Sequence, residues 1–286
     1  MHFLIVRDDS IPDAFYAAAA DGIELCRELK ISEFLLSHGC HYDNDSGCFQ
    51  VDGPVAKDIE ILKIGLLINR VVEVSKESCL NLANRGIAPS RGQVNHAYSI
   101  LLKMYSQAPA QLQQYSTVGT LVPLFTQWRM IQNHISGIST PDYRYGYGPE
   151  IIDAEGFLRP IYTTPFHLYD WRPNSPMIDP PNDTFIIERP LGDPLLAFFC
   201  GDHVSMRWIA EGSPADKALP DGFGDIVLSV KDIFGAWAGE SLWFVDSDRI
   251  TFASFSHRLS AAQQYGPELS ELVCLGLSDL WKVSVE

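Results

Sequence analysis

Leu195-Leu196-Ala197-Phe198-Phe199-Cys200-Gly201-Asp202-His203-Val204-Ser205-Met206-Arg207-Trp208-Ile209 is the stretch that decides the architecture of this chain. Two short runs of aliphatic, β-branched and aromatic residues are separated by Gly201-Asp202, the pattern of two strands joined at a turn. The texture repeats outward in both directions. Thr184 to Glu188, Asp225 to Val230, Ser241 to Val245 and Arg249 to Phe255 read as further strands, and Gly212-Ser213-Pro214 and Asp246-Ser247-Asp248 read as turns between them. A closing helix is predicted from about Pro267 to Leu277, with Leu269, Leu272, Val273 and Leu277 as its apolar stripe.

The first half carries helical signals. Asp13 caps a predicted helix that runs past Ala17–Ala20 toward Leu29, and Gly22 weakens its middle. Ser90 to Gln107 places Val94, Tyr98, Leu101, Leu102 and Tyr105 at helical spacing, and Gln111 to Ile135 is a longer candidate broken or kinked at Pro123. Met1 to Asp9 reads as a short first strand, and Tyr42 to Phe49 as a turn between two strands. From 137 to 181 prolines and aromatic side chains interleave, which predicts an ordered connection packed on the surface. The fold class is therefore α+β, with a helix-rich N-terminal part and a β-rich C-terminal part around a mixed or antiparallel sheet. The expectation is a single domain over 1–286 with a soft internal division near 137–181.

Composition narrows the function classes. The 286 residues are 46% hydrophobic and 20% charged, enough apolar material to fold. With 21 Lys and Arg against 36 Asp and Glu the net charge is −15, which disfavours a nucleic-acid binder, since those need clustered cations for phosphate. The most apolar internal stretch, 59–72, is interrupted by Glu60, Lys63 and Arg70, so no membrane span is expected and the chain is read as cytoplasmic. The six cysteines are dispersed and read as reduced thiols, with a Cys40–Cys48 pairing left open. Charge is uneven: 8–60 holds 12 acids and 3 bases, 61–150 holds 4 and 8, and 172–248 holds 13 and 5.

Chemical motifs are sparse. His38, Cys40, His41 and Cys48 offer zinc-type ligands at spacings that do not wrap one ion, and no metal or cofactor is expected. Counting Asp43 as the first position of a calcium loop puts Pro54 at the twelfth, where a bidentate Glu is needed. Ser205 near His203 and Asp202, and Ser256 beside His257, lack a nucleophile elbow, and no phosphate-binding glycine motif is present. No catalytic residue is assigned. The richest stretch runs from Glu211 to Asp248. Asp216, Asp221, Asp225, Asp232, Glu240, Asp246 and Asp248, with Trp237 and Trp243 among them, form the candidate partner-binding set, because acids steer a basic partner and aromatic side chains supply contact area. The competing reading of the two tryptophans is core.

Gly235-Ala236-Trp237-Ala238-Gly239 and Ser241-Leu242-Trp243-Phe244 resemble the immunity protein 52 family, immunity proteins paired with restriction-endonuclease-like toxins of the type VI secretion system. The resemblance implies a non-enzymatic bacterial inhibitor that binds a cognate basic toxin through its acidic surface. The alternatives are a hydrolase using His203 or His257, and an adaptor or chaperone for an effector.

Overall fold

The computed structural model describes residues 2–7, 26–30, 32, 40–43, 48–51, 64–69, 75–88, 90, 92, 93, 96, 110–111, 122–147, 154–164, 183–209, 218–247, 249–256 and 268–285. The protein is α+β and divides into two compact units. One comprises Met1–Thr120 with Ala261–Glu286, the other Leu121–Ser260. Residues 143–147 and 160–163 of the Pro/Tyr-rich segment contribute strands to the second unit. Among the described residues no helix is long and apolar enough to cross a membrane.

The first unit holds a parallel sheet of β1 (His2–Arg7), β2 (Cys26–Lys30), β5 (Ile64–Asn69) and β6 (Ala110–Gln111), in the order β2-β1-β5-β6. Where a helix toward Leu29 was expected, Cys26–Lys30 is strand, and the rest of that stretch, 13–25, lies outside the described residues. Residues 26–30 carry no helical periodicity, and pairing with β1 takes them. A hairpin of β3 (Cys40–Asp43) and β4 (Cys48–Val51) flanks the predicted turn. Its register pairs Cys40 with Val51 and Cys48 with Asp43. The two cysteines lie three steps apart along the ladder. Helix α1 (Lys76–Ala83) is capped by Ser75, whose hydroxyl accepts the Ser78 N–H at 3.1 Å. Ser90 and Gln93 form a reciprocal capping box, 2.5 Å and 3.3 Å, at the predicted start of the 90–107 helix. The rest of that helix lies outside the described residues.

The second unit is built on two sheets. Strands β8 (Tyr143–Tyr147), β10 (Asp183–Glu188) and β9 (Pro160–Thr163) make a three-stranded antiparallel sheet in that order. Strands β12 (His203–Trp208), β11 (Asp193–Cys200), β13 (Ala238–Val245), β14 (Ile250–Ser256) and β7 (Ile138–Ser139) make a five-stranded sheet, antiparallel except for the β14–β7 pair. Helices α2 (Leu124–His134) and α3 (Phe223–Phe234) pack on it. Helix α2 starts directly after Pro123, where a missing N–H costs nothing.

Helix α3 replaces the strand predicted at Asp225–Val230. Its β-branched residues suggested a strand, but Phe223, Val227 and Val230 recur at helical spacing and are buried. Gly235 closes it in a left-handed conformation, with the Ala236 N–H reaching the Lys231 carbonyl at 2.8 Å. At the C-terminal end of the described chain, α4 (Glu268–Val285) packs on β5 within the first unit. Its buried Leu269, Leu272, Val273 and Leu277 are the predicted stripe.

The sheet's two faces follow from strand alternation. Trp243 meets Phe223 of α3 edge-on at 5.2 Å, so Leu195, Ala197, Phe199, Ser241 and Trp243 face α3. A bulge at Ala253 puts Phe252 and Phe255 on that same face, where both stack on Phe234. Leu196, Phe198, Glu240, Leu242, Phe244, Ser254 and Ser256 occupy the opposite face. The open edge of β14 is closed by side chains of α2. The Gln127 amide accepts the Phe255 N–H at 2.7 Å and donates to the Phe255 carbonyl at 3.1 Å, and the Trp128 indole donates to the Ala253 carbonyl at 2.8 Å.

Candidate functional site

The anticipated partner-binding residues separate into three groups. Trp243 and Glu240 are fully buried and present no surface. Trp243 donates its indole N–H to Ser241 Oγ at 2.8 Å, and that hydroxyl is 3.3 Å from the Ala197 carbonyl, so the tryptophan is a core post. Asp221, Asp225, Asp232 and Asp246 are exposed, and Trp237 is half-buried under Lys231, whose ammonium lies 5.8 Å from its ring centre. Asp216 and Asp248 lie outside the described residues, as do His38 and His257. His203 and Ser205 share a face of β12, while Asp202 in the adjoining turn is taken by an ion pair with Lys231.

A different cluster has the geometry of a ligand site. It sits where β10 leaves the three-stranded sheet and the chain crosses, through Arg189–Gly192, into β11 of the five-stranded one. Arg159 precedes β9, and Pro160 pairs with Glu188 in the β9–β10 ladder. Both oxygens of Glu188 accept main-chain N–H bonds, from Leu158 and Arg159, at 2.8 Å each. The Arg159 guanidinium donates to the Arg189 carbonyl at 2.8 Å, and the Arg189 N–H returns to the Arg159 carbonyl at 3.0 Å. Two arginines from separate segments are thereby clamped side by side. The Arg189 guanidinium lies over Phe244, 5.4 Å from the ring centre, which places it on the Glu240 face of the large sheet.

The electrostatics are unbalanced. Glu188 Oε1 is 3.9 Å from Arg159 Nε and offsets that charge. Arg189 Nε is buried without a hydrogen-bond partner, one of three such side-chain atoms among the described residues, with Thr163 Oγ1 and Trp237 Nε1. Burial, and secondarily the charge of Arg159, hold the Arg189 guanidinium below its ordinary value. A half-buried cation whose Nε donor is unused can accept an anionic oxygen. The turn that presents it depends on Gly192. Its φ is +97°, and a Cβ there would stand 2.5 Å from the Val245 carbonyl group.

Sequence reading missed all three charged residues. The available signal was an arginine preceding a proline at each of two strand boundaries, Arg159-Pro160 and Arg189-Pro190, but 30 positions separate them and only the ladder brings them together.

The fold of the chain is similar to that of solved ligases of the ATP-grasp type. The macrocyclase MdnC of Microcystis aeruginosa, solved with its precursor peptide MdnA, matches with a TM-score of 0.67 and 14% identity over 98% of this chain and 100% of that one. The ATP-grasp ligase PsnB, solved with a minimal precursor, Mg and ADP, matches with a TM-score of 0.63 and 10% identity over 98% of each chain. A D-alanine–D-alanine ligase of Bacillus anthracis matches at 0.55 and 9% identity over 100% of this chain and 97% of that one. No family model matches the chain, and no curated protein matches it by sequence.

The likeness to immunity proteins is corrected by these findings. Over its whole length the chain has the fold of enzymes, and the readings of a non-enzymatic inhibitor, a type VI secretion component and a toxin partner fall with the resemblance. The residues behind the resemblance have structural duties: Gly235 ends α3, Ala236 is buried, Gly239 makes room for the Phe255 ring, and Trp243 is core. Net charge describes a surface and does not specify a fold.

The nucleotide and magnesium bound by such ligases can be tested against this chain's donors. The Arg159–Arg189 pair fits a phosphate anion, through its positive charge and its unused buried donor. Among the described residues no three His, Cys, Asp or Glu side chains come together as metal ligands.

Proposed function

We propose that this protein is a nucleotide-dependent ligase that acts on a peptide, with Arg159 and Arg189 holding the nucleotide's phosphates. The observation that carries the reading is the linking of Arg159 and Arg189, the guanidinium of the first bonded to the carbonyl of the second and the second keeping a buried unused donor, in a chain whose fold is similar to that of ligases solved with precursor peptides. A carboxylate and an amine or hydroxyl do not condense unaided in water. Transfer of the terminal phosphoryl of ATP to the carboxylate releases ADP, and displacement of phosphate by the nucleophile then forms the amide or ester. Catalysis of phosphoryl transfer is mainly positioning and charge stabilisation. The duty of Arg159 and Arg189 is to fix the phosphates and neutralise them, with Glu188 holding Arg159 in place.

The exposed acids retain a role in this reading. Asp225 and Asp232 lie seven positions apart on α3, hence on one side of the helix, and Asp221 precedes it. They would steer a basic segment of the peptide.

The test uses the full chain with ATP, Mg2+ and a synthetic peptide that joins a Lys-rich segment to an Asp/Glu-rich one. Peptide-dependent ADP formation, with loss of water from the peptide by mass spectrometry, supports the reading. Absence of ADP formation together with absence of nucleotide binding overturns it.

A further inference from the structure

We infer that this site binds the polyphosphate of its nucleotide without a divalent cation, the guanidiniums of Arg159 and Arg189 doing the neutralising. The inference rests on the ligase reading above and specifies the ionic form of the nucleotide. A magnesium ion at a phosphate site takes six oxygens at short range, including one or two carboxylates besides the phosphates and waters. The carboxylate beside the arginine pair is Glu188, and both its oxygens already accept main-chain N–H bonds at 2.8 Å. Turning it toward a metal would strand the Leu158 and Arg159 amides and release Arg159.

The large sheet supplies no substitute there. Arg189 lies over Phe244, and the next residues of β13 on that face are Leu242 and then Glu240. Leu242 is flanked across the sheet by Leu196 and Ser254. Glu240 is four residues along the strand from Phe244, about 13 Å, with an apolar side chain between. It is also fully buried. On this face the described residues of β11, β13 and β14 next to Phe244 and Leu242 are thus apolar or hydroxylic, and the next charge across the sheet is the cationic Arg207 of β12, opposite Leu196. What the site does have is cationic charge: two guanidiniums, of which one is offset by Glu188 and the other keeps an unused donor.

Free ATP, with its full negative charge, suits this arrangement better than its magnesium complex, which carries two charges fewer. The experiment is calorimetric titration of the full chain with ATP and with ADP, once in Mg2+ and once in EDTA. A parallel titration with Mn2+ alone is followed by electron paramagnetic resonance. The expected result is an affinity in EDTA equal to or higher than that in Mg2+, with no stoichiometric Mn2+ site. Arg189→Gln and Arg159→Gln should each weaken binding in EDTA by about tenfold or more, with circular dichroism and melting temperature reporting that each variant is folded. Affinity that rises about tenfold or more on adding Mg2+, or a stoichiometric Mn2+ site, overturns the inference and leaves the ligase reading standing. Absence of nucleotide binding in both buffers overturns both.

Discussion

Removal of the Gln127 side chain is the sharpest test of how the second unit holds its central sheet. Strand β14 has partner strand β13 along one side, and along the other α2 supplies the Trp128 indole at Ala253 and the Gln127 amide at Phe255. That amide accepts the Phe255 N–H at 2.7 Å and donates to the Phe255 carbonyl at 3.1 Å and the Val122 carbonyl at 2.8 Å. Gln127 is 2% exposed, so its partners on β14 have no ready access to water. In Gln127→Ala the Phe255 N–H and carbonyl both lose their partner, each at about 1–3 kcal/mol. The Val122 carbonyl, which is less enclosed, adds little. A water entering the vacated volume would recover part of the loss, so the net cost is about 3 kcal/mol. For a unit of this size that lowers the melting temperature by roughly 10 °C.

Hydrogen exchange followed by NMR reads the effect at its source, since the Phe255 amide should lose about a hundredfold in protection. Gln127→Glu is the control for hydrogen-bond polarity. It can still accept from Phe255 but aims an oxygen at two carbonyls, so it should be as unstable as the alanine variant at neutral pH. The buried carboxyl's pKa is raised in the fold, so stability should return as pH falls through that raised value, where the protonated acid donates again. A Gln127→Ala protein that melts within about 3 °C of the parent and keeps its Phe255 amide protected would refute the reasoning.

Three further outcomes follow from single contacts. Gly239→Ala would set a Cβ 2.4 Å from the Phe255 ring, which also stacks on Phe199 and Phe234; the expected cost is about 2–3 kcal/mol, read by thermal melting with loss of near-ultraviolet dichroism. Gly192→Ala meets both a left-handed backbone and a carbonyl group at 2.5 Å. It should cost about 3 kcal/mol and abolish any rise in melting temperature caused by added phosphate, whereas an unchanged phosphate response would mean that this turn does not position Arg189. Arg189→Met removes a cation whose charged form the fold disfavours at every pH below its lowered pKa, while keeping an apolar contact with Phe244. Its melting temperature should be unchanged or up to about 3 °C higher, with the phosphate response gone; a fall of more than about 3 °C would make the guanidinium a structural prop instead of a ligand holder.

The α+β class, strands β10 to β14 apart from their limits, and the terminal helix were legible because each is declared by residues close in sequence. Alternating or continuous apolar runs bounded by turn residues mark the strands, and the stripe of Leu269, Leu272, Val273 and Leu277 marks the helix. Where local signals compete, reading failed. Asp225–Val230 has strand-like composition, yet the spacing of Phe223, Val227 and Val230 and the closing Gly235 make it helix α3. Charge misled in another way. The acids of 211–248 are adjacent in sequence, but Glu240 points into the core while Asp225 and Asp232 face water, a distinction set by which side of a strand or helix each occupies.

Sequence alone, then, determined the elements whose cause is local: a periodic apolar face, and apolar runs bounded by turn residues. Tertiary structure alone decided the site. Arg159 and Arg189 are unremarkable by themselves, separated by 30 positions. They become a charged pair because the β9–β10 ladder sets Pro160 opposite Glu188, and because Gly192 lets the chain turn so that the second guanidinium lies on Phe244. The physical reason is that an anion site requires cations held close together and partly stripped of water. Proximity and desolvation are properties of packing, which no single stretch of the chain carries.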